Sequence, residues 1–325
     1  MSAISLPNSP SPLRLFSPES PPRQTSGPKL AEVFESIVRP SLIGIAQSTL
    51  AEYRRAVAKW SLYSSDPPIE EISDETCEQF CWTVRENPAI RPATYNKWAR
   101  HLRGVFSRLG PRDSRNRLGK GVLSQIPIVQ FLPEEIGDPR PVPEADLSRI
   151  YTACDVATWP RVAAGTAPAR WWAWVVLLFN CGPRRDDALG LTVENLATTS
   201  RGLVLRWRAK KTGKKQTVPV NPVVEWHLRQ LPAAETLIGF PNCHRDLYRT
   251  WNSILAAAGI SERYTFHDVR RSCATAFDLI SESAAELVLG HAKTVTRRSY
   301  ANPEEKIFAA AQALRQPEAF TDRMR

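Results

Sequence analysis

The sequence lacks any apolar run long enough to cross a membrane. The longest, Trp171 to Phe179, is about half of the ~20 residues that a spanning helix needs. It lacks a paired cysteine framework too. Cys77, Cys81, Cys154, Cys181, Cys243 and Cys273 are scattered, none in a Cys-x-x-Cys metal spacing, so reduced thiols in a cytoplasm are expected rather than disulfides or a zinc site. Cys77 and Cys81, four apart, share a helix face and read as packing residues. The first 28 residues hold no apolar stretch followed by a cleavage site, so export is not expected. No constellation of carboxylates suits a metal pair, which disfavours a metal-dependent nuclease or transposase. Acids are outnumbered: 33 Asp and Glu face 43 Lys and Arg, a formal charge of +10 with a pI near 9.5. That balance favours a polyanionic partner, nucleic acid first and an anionic membrane surface second.

What is present is a chain of 325 residues, 42% apolar, enough for two domains with cores of their own. Residues 1–28 are dominated by Pro and Ser and read as a disordered arm. Residues 29–132 read as a helical domain. Leu50, Tyr53, Val57 and Trp60 recur at helical spacing, as do Tyr95, Trp98, Leu102, Val105, Phe106 and Leu109, giving two amphipathic helices. The second helix and the segment after it carry Lys97, Arg100, Arg103, Arg108, Arg112, Arg115, Arg117 and Lys120, with only Asp113 opposing. A basic stripe facing phosphates follows, because ordinary solvated faces mix signs. Prolines and acids over residues 133–143 read as an exposed linker.

The second domain, residues 144–316, opens with a helix from about Ala145 to Cys154 and continues with a very apolar helix from about Arg170 to Cys181 that belongs in the core. Leu203 to Arg208 and Gln216 to Val220 flank Thr212-Gly213-Lys214 and form a hairpin. Further helices run from about Leu247 to Ala258, from Asp268 to Ile280 and from about Ser283 to Leu289, with Gly259 and Gly290 as stops. A last one follows Asn302-Pro303 and extends to about Arg315, and residues 317–325 are a tail. The fold class is mainly α with a small β-hairpin.

Four segments of this domain carry chemistry. Arg184 and Arg185 stand beside Asp186 and Asp187, followed by Leu191. Lys210-Lys211-Thr212-Gly213-Lys214-Lys215 precedes Val218-Pro219-Val220, and seven basic residues lie between Arg201 and Lys215 without an acid, a concentration that attracts phosphate. His267 and Arg270 sit three apart at a helix start, on one face, where free N–H groups and the dipole also favour an anion. Leu289-Gly290-His291 is followed nine residues later by Tyr300.

In order and separation these segments resemble the catalytic boxes of the tyrosine recombinases, the phage integrase family. The match spans Cys181 to Tyr300, and the first domain resembles the family's core-binding domain only in pattern. Cys181 and Pro183 depart from the family's usual Thr and Leu. The resemblance implies catalytic roles for Arg184, Lys211, His267, Arg270, His291 and Tyr300, with Asp187 orienting Arg184. Arg185 and Lys210 compete with Arg184 and Lys211. Lys97, Arg100, Arg103, Arg108, Lys210, Lys214 and Lys215 are the expected DNA contacts.

The implied reaction is site-specific cutting and rejoining of double-stranded DNA through a 3′-phosphotyrosyl ester, without metal, ATP or other cofactor. The implied assembly is a homotetramer on synapsed sites, in the cytoplasm on the nucleoid, away from membranes. The last helix would dock on a neighbouring protomer or pack back on its own domain. A type IB topoisomerase would use a closely similar set of residues, and a catalytically inactive DNA-binding relative is the non-enzyme alternative.

Overall fold

The computed structural model describes residues 27–135, 140–161, 166–290 and 303–325. The chain divides into two compact units at Ile136 and Gly137, each with its own apolar core.

The first unit is helical. After a helical stretch that starts at Leu30 and ends at Ser41, α1 (Gln47–Tyr63), α2 (Asp74–Arg85) and α3 (Pro92–Leu109) follow. Pro92 opens α3, where a missing N–H costs nothing and its fixed φ suits the helix. Ser73 caps α2 through the Thr76 N–H, a start that hydrophobic spacing does not mark. The α2 face buries Cys77, Phe80, Cys81 and Val84, so the two thiols are packing groups. Trp60 of α1 sits 5.2 Å from the Phe80 ring and 5.4 Å from that of Phe106. Each such buried aromatic contributes roughly 1.5–3 kcal/mol of transfer free energy. The chain after α3 is tied back by Asn96, which is buried yet fully used: its amide donates to Leu132 O at 2.7 Å and its carbonyl accepts the Leu132 N–H at 2.8 Å.

The second unit is built around α5 (Thr166–Cys181). Trp171, Trp174, Val175, Val176, Leu177 and Leu178 are all buried, so this helix is apolar all round because it has neighbours all round. Packed about it are α4 (Glu144–Ala153), the one-turn α6 (Arg185–Ala188), α7 (Pro222–Arg229), α8 (His244–Ala257), α9 (Phe266–Asp278) and α10 (Glu282–Leu289). Two further helices close it, α11 (Pro303–Ala313) and α12 (Glu318–Asp322). The sheet is antiparallel, in the order β1 (Leu196–Thr199), β2 (Gly202–Arg208), β3 (Lys215–Pro219). The expected hairpin is therefore two strands of three. β1 escapes the sequence pattern because Leu-Ala-Thr-Thr has too few apolar positions to alternate.

Both C-terminal helices pack on their own unit. Ile307, Ala310 and Ala311 of α11, and Leu314 just after it, are buried, which is the intramolecular alternative for this segment. Residues 317–325 are no loose tail either: Phe320 is fully buried, 5.1 Å from the Tyr151 ring, and Arg323 grips both Asp155 oxygens at 2.8 and 2.9 Å.

Candidate active site

The candidate site is built around Arg270, which joins the Gly182 loop and the turn after α10 to the start of α9. Thr265 starts α9, and its N–H and hydroxyl both donate to Asp268 Oδ2, at 2.8 and 2.7 Å. These two bonds fix the start of the helix, which presents His267 outward and Arg270 inward. Arg270 is 4% exposed. One guanidinium nitrogen donates to Gly182 O, and the other to Leu289 O at 2.9 Å. One side chain of the third box thus ties the loop before Arg184 to the turn before His291. Burial first, and then the nearby Arg184 charge, bring its pKa down to about 10, so it remains a cation at neutral pH.

Gly182 makes this approach possible. Its φ is +57°, and a Cβ there would stand 2.9 Å from Cys273 Sγ and 3.1 Å from a Leu289 methyl. Gly290 terminates α10 in the same left-handed region, with φ +69°.

Arg184 caps α6 from an extended backbone and is half-buried. Among the described residues its side chain has no hydrogen-bond or ion-pair partner. Arg185 is spoken for: it donates to Asp186 at 2.7 Å and to the Tyr248 hydroxyl at 2.9 Å. The two adjacent arginines, ambiguous in sequence, are therefore distinct in structure, and Arg184 is the one whose donors remain available. Its charge is felt by both His267 and Arg270. The His267 imidazole is held below its ordinary pKa, first by desolvation and then by Arg271, Arg270 and Arg184, with Asp268 opposing. It is therefore neutral at pH 7 and able to accept a proton.

Asp187 is buried, and its described contact is with the hairpin: Oδ1 accepts the backbone N–H of Lys210 at 2.8 Å. No contact to the Arg184 guanidinium accompanies it among the described residues, so the acid positions the start of the lysine turn. The Lys210 ammonium bends back against Gly190, into a cleft of about 780 Å³ that also holds Asp186 and His244. Lys211, Lys214 and Lys215 are exposed on the hairpin, without ion-pair partners among the described residues. His291 and Tyr300 lie outside the described residues.

The expected basic stripe of the first unit is altered by acids that arrive from other elements. Lys97 pairs with Glu52 at 2.7 Å and Arg100 with Glu134 at 3.5 Å. Arg103 lies over the Phe131 ring, and Arg108 donates to Gly104 O. Asp113, the one acid within the stripe, accepts the backbone N–H groups of Arg115 and Asn116 at 2.7 Å. Arg112, Arg115, Arg117 and Lys120 are exposed and have no ion-pair partner among the described residues. The available positive charge is thus shifted from the helix to the loop after it.

Two further groups give little sign of themselves in the sequence. Gln216, on β3, is 4% exposed with Oε1 unpartnered; a lone Gln in a strand gives no signal. Arg271 pairs with Asp268 at 2.8 Å beside His267, and the doubled Arg270-Arg271 is its visible trace.

The comparisons with known proteins come to the same region. The model of the phage integrase family matches residues 142–306. No curated protein matches the chain. Among solved structures it is similar to a lambda integrase tetramer bound to a Holliday junction, with 19% identity, a TM-score of 0.64, and coverage of 81% of this chain and 76% of that one. It is also similar to the XerH site-specific recombinase bound to a palindromic difH substrate, at 17% identity and a TM-score of 0.58, covering 81% and 79%. A third is the Tn1549 transposon integrase in complex with circular intermediate DNA, at 15% identity and a TM-score of 0.60, covering 84% and 95%.

Proposed function

The chain belongs to the phage integrase family, the tyrosine recombinases, and from that premise we propose that it cuts and rejoins double-stranded DNA at defined sites through a 3′-phosphotyrosyl bond to Tyr300. The observation that carries this reading is the convergence on Arg270 of the Gly182 loop that leads into Arg184 and the Leu289 turn that leads into His291. His267 stands within the same positive field.

In the proposed step the Tyr300 oxygen forms a bond to phosphorus as the bond to the 5′ oxygen breaks. A free tyrosine has a pKa near about 10, so roughly 0.1% is phenolate at pH 7, and the phenol proton must leave as attack proceeds. His267, held neutral, receives it. The departing 5′ oxygen takes a proton from the Lys211 ammonium, which is left as the amine. Charge growing on the non-bridging oxygens is met by Arg184 and by the positive field of Arg270, with His291 adding a hydrogen bond. These cations take the place of a metal. The ester conserves the bond energy, so resealing by a 5′ hydroxyl runs the same steps backward and needs no ATP.

Arg112, Arg115, Arg117 and Lys120 of the first unit, with Lys214 and Lys215 of the hairpin, are the proposed contacts to phosphates, and Lys97, Arg100, Arg103 and Arg108 flank them. The lambda integrase tetramer bound to a Holliday junction supports a homotetramer on synapsed DNA as the working assembly.

The test is Tyr300→Phe on a suicide duplex whose cleaved end diffuses away. The variant should bind DNA as the wild type does and form no covalent adduct. An adduct of wild-type yield would remove Tyr300 from the chemistry.

A further inference from the structure

Gln216 is a buried polar side chain beside the candidate site that the catalytic scheme leaves unused. It lies on β3 directly opposite Trp207 of β2, one residue after Lys215 and on the strand that returns from Lys211. It is 4% exposed, and its Oε1 has no hydrogen-bond partner. The indole N–H of Trp207, its cross-strand neighbour, is likewise buried and unpartnered. An acceptor and a donor left unpaired in a core cost about 1–3 kcal/mol each, which is tolerated where the placement itself is useful.

That placement is specific. The carboxamide rests on Gly290, so closely that a Cβ on this residue would fall 1.9 Å from Gln216 Nε2. Gly290 directly follows Leu289, whose carbonyl is held by Arg270 at 2.9 Å. Gln216 is thus the spacer between the hairpin that carries Lys211 and the turn that Arg270 clamps. At the other end of the hairpin, Asp187 pins the Lys210 N–H. The lysine turn is therefore fixed at both of its feet, one by a hydrogen bond and one by the bulk of an amide.

We propose that Gln216 is a positioning residue for leaving-group protonation, setting the depth of the lysine hairpin against the Leu289–Gly290 turn. This rests on the reading of Lys211 as general acid. Shortening or reshaping the spacer lets the hairpin move, and misplacement of about 1 Å in a catalytic group costs up to about 100-fold in rate. The loss should be confined to the protonation step.

The experiment compares wild type, Lys211→Ala, Gln216→Leu and Gln216→Asn on suicide duplexes of two kinds. One carries the ordinary 5′ oxygen at the cleaved phosphate. The other carries a bridging 5′ sulfur, which leaves as a thiolate and needs no acid, since a thiol pKa is only about 8.5. Thermal melting accompanies each variant, and Gln216→Asn carries the comparison if Gln216→Leu melts early. We expect the Gln216 variants to be slowed about 10- to 100-fold on oxygen, with unchanged DNA affinity. On sulfur they should fall within about threefold of wild type, as Lys211→Ala should also. Equal slowing on both substrates, or none on oxygen, overturns the positioning role while rescue of Lys211→Ala leaves the general acid standing. If Lys211→Ala stays slow on sulfur, the general-acid reading falls and takes the positioning role with it.

Discussion

Arg184 and Arg270, both cationic, are asked to do opposite things. Arg270 commits its donors to two carbonyls of its own chain and is structural as much as electrostatic. Arg184 commits none to the described residues. Arg270→Ala strands two buried carbonyls and should lower unfolding stability by about 2–4 kcal/mol in urea melts. Arg184→Ala should melt within about 0.5 kcal/mol of wild type yet lose cleavage by on the order of 100-fold or more. Equal destabilisation of the two would undo the distinction. His267 gives a second test. Its pKa is lowered in the folded chain, so the base-competent neutral form is lost only as pH falls through a value beneath the ordinary ~6.5. Single-turnover cleavage at subsaturating DNA, which reports the free enzyme, should be flat across neutral pH and decline with a midpoint below about 6.5. A midpoint above that value would exclude His267 as the base. At this scale the candidate residues came from the resemblance of four segments to the family's boxes, and the structure brings Gly182, Arg270 and Leu289 of three of them together. Which member of a pair is available was not legible in the sequence, since Tyr248, which occupies Arg185, is remote in sequence.

The elements that present these side chains owe their precision to their ends. Thr265→Ala removes the hydroxyl bond to Asp268 at the start of α9 and should cost about 1 kcal/mol, with a larger effect on cleavage than on DNA affinity because His267 and Arg270 lie in the helix's first five residues. A loss shared equally by binding and cleavage would count against this. Helices with wide apolar stripes, such as α3 and α5, were legible from spacing. β1, α7 and α12 were not: four residues, a Pro-led segment and a five-residue turn carry too little periodicity. α12 shows how much such a piece can hold. Phe320→Ala opens a cavity against Tyr151 and Phe179 and should destabilise the second unit by about 3–5 kcal/mol, whereas a merely trailing segment would register no change.

For the whole molecule, a charge of +10 pointed towards a polyanion, but its distribution needed the fold. Glu52 and Glu134 neutralise part of α3 from elsewhere in the chain, which leaves Arg112, Arg115, Arg117 and Lys120 as the exposed cluster. Replacing those four by Ala should reduce the slope of log affinity against log salt by about 0.9 for each phosphate that is no longer neutralised. Replacing Lys97 and Arg100 should change it less. The opposite ranking would return the interface to the helix. The central claim, that Tyr300 becomes covalently joined to DNA, is tested most directly by trapping the protein on a suicide duplex, digesting it, and locating the nucleotide-bearing peptide by mass spectrometry. The account predicts the adduct on Tyr300 at a 3′ phosphate, with a free 5′ hydroxyl on the other strand end; an adduct on any other residue, or strand cleavage with none, would contradict it.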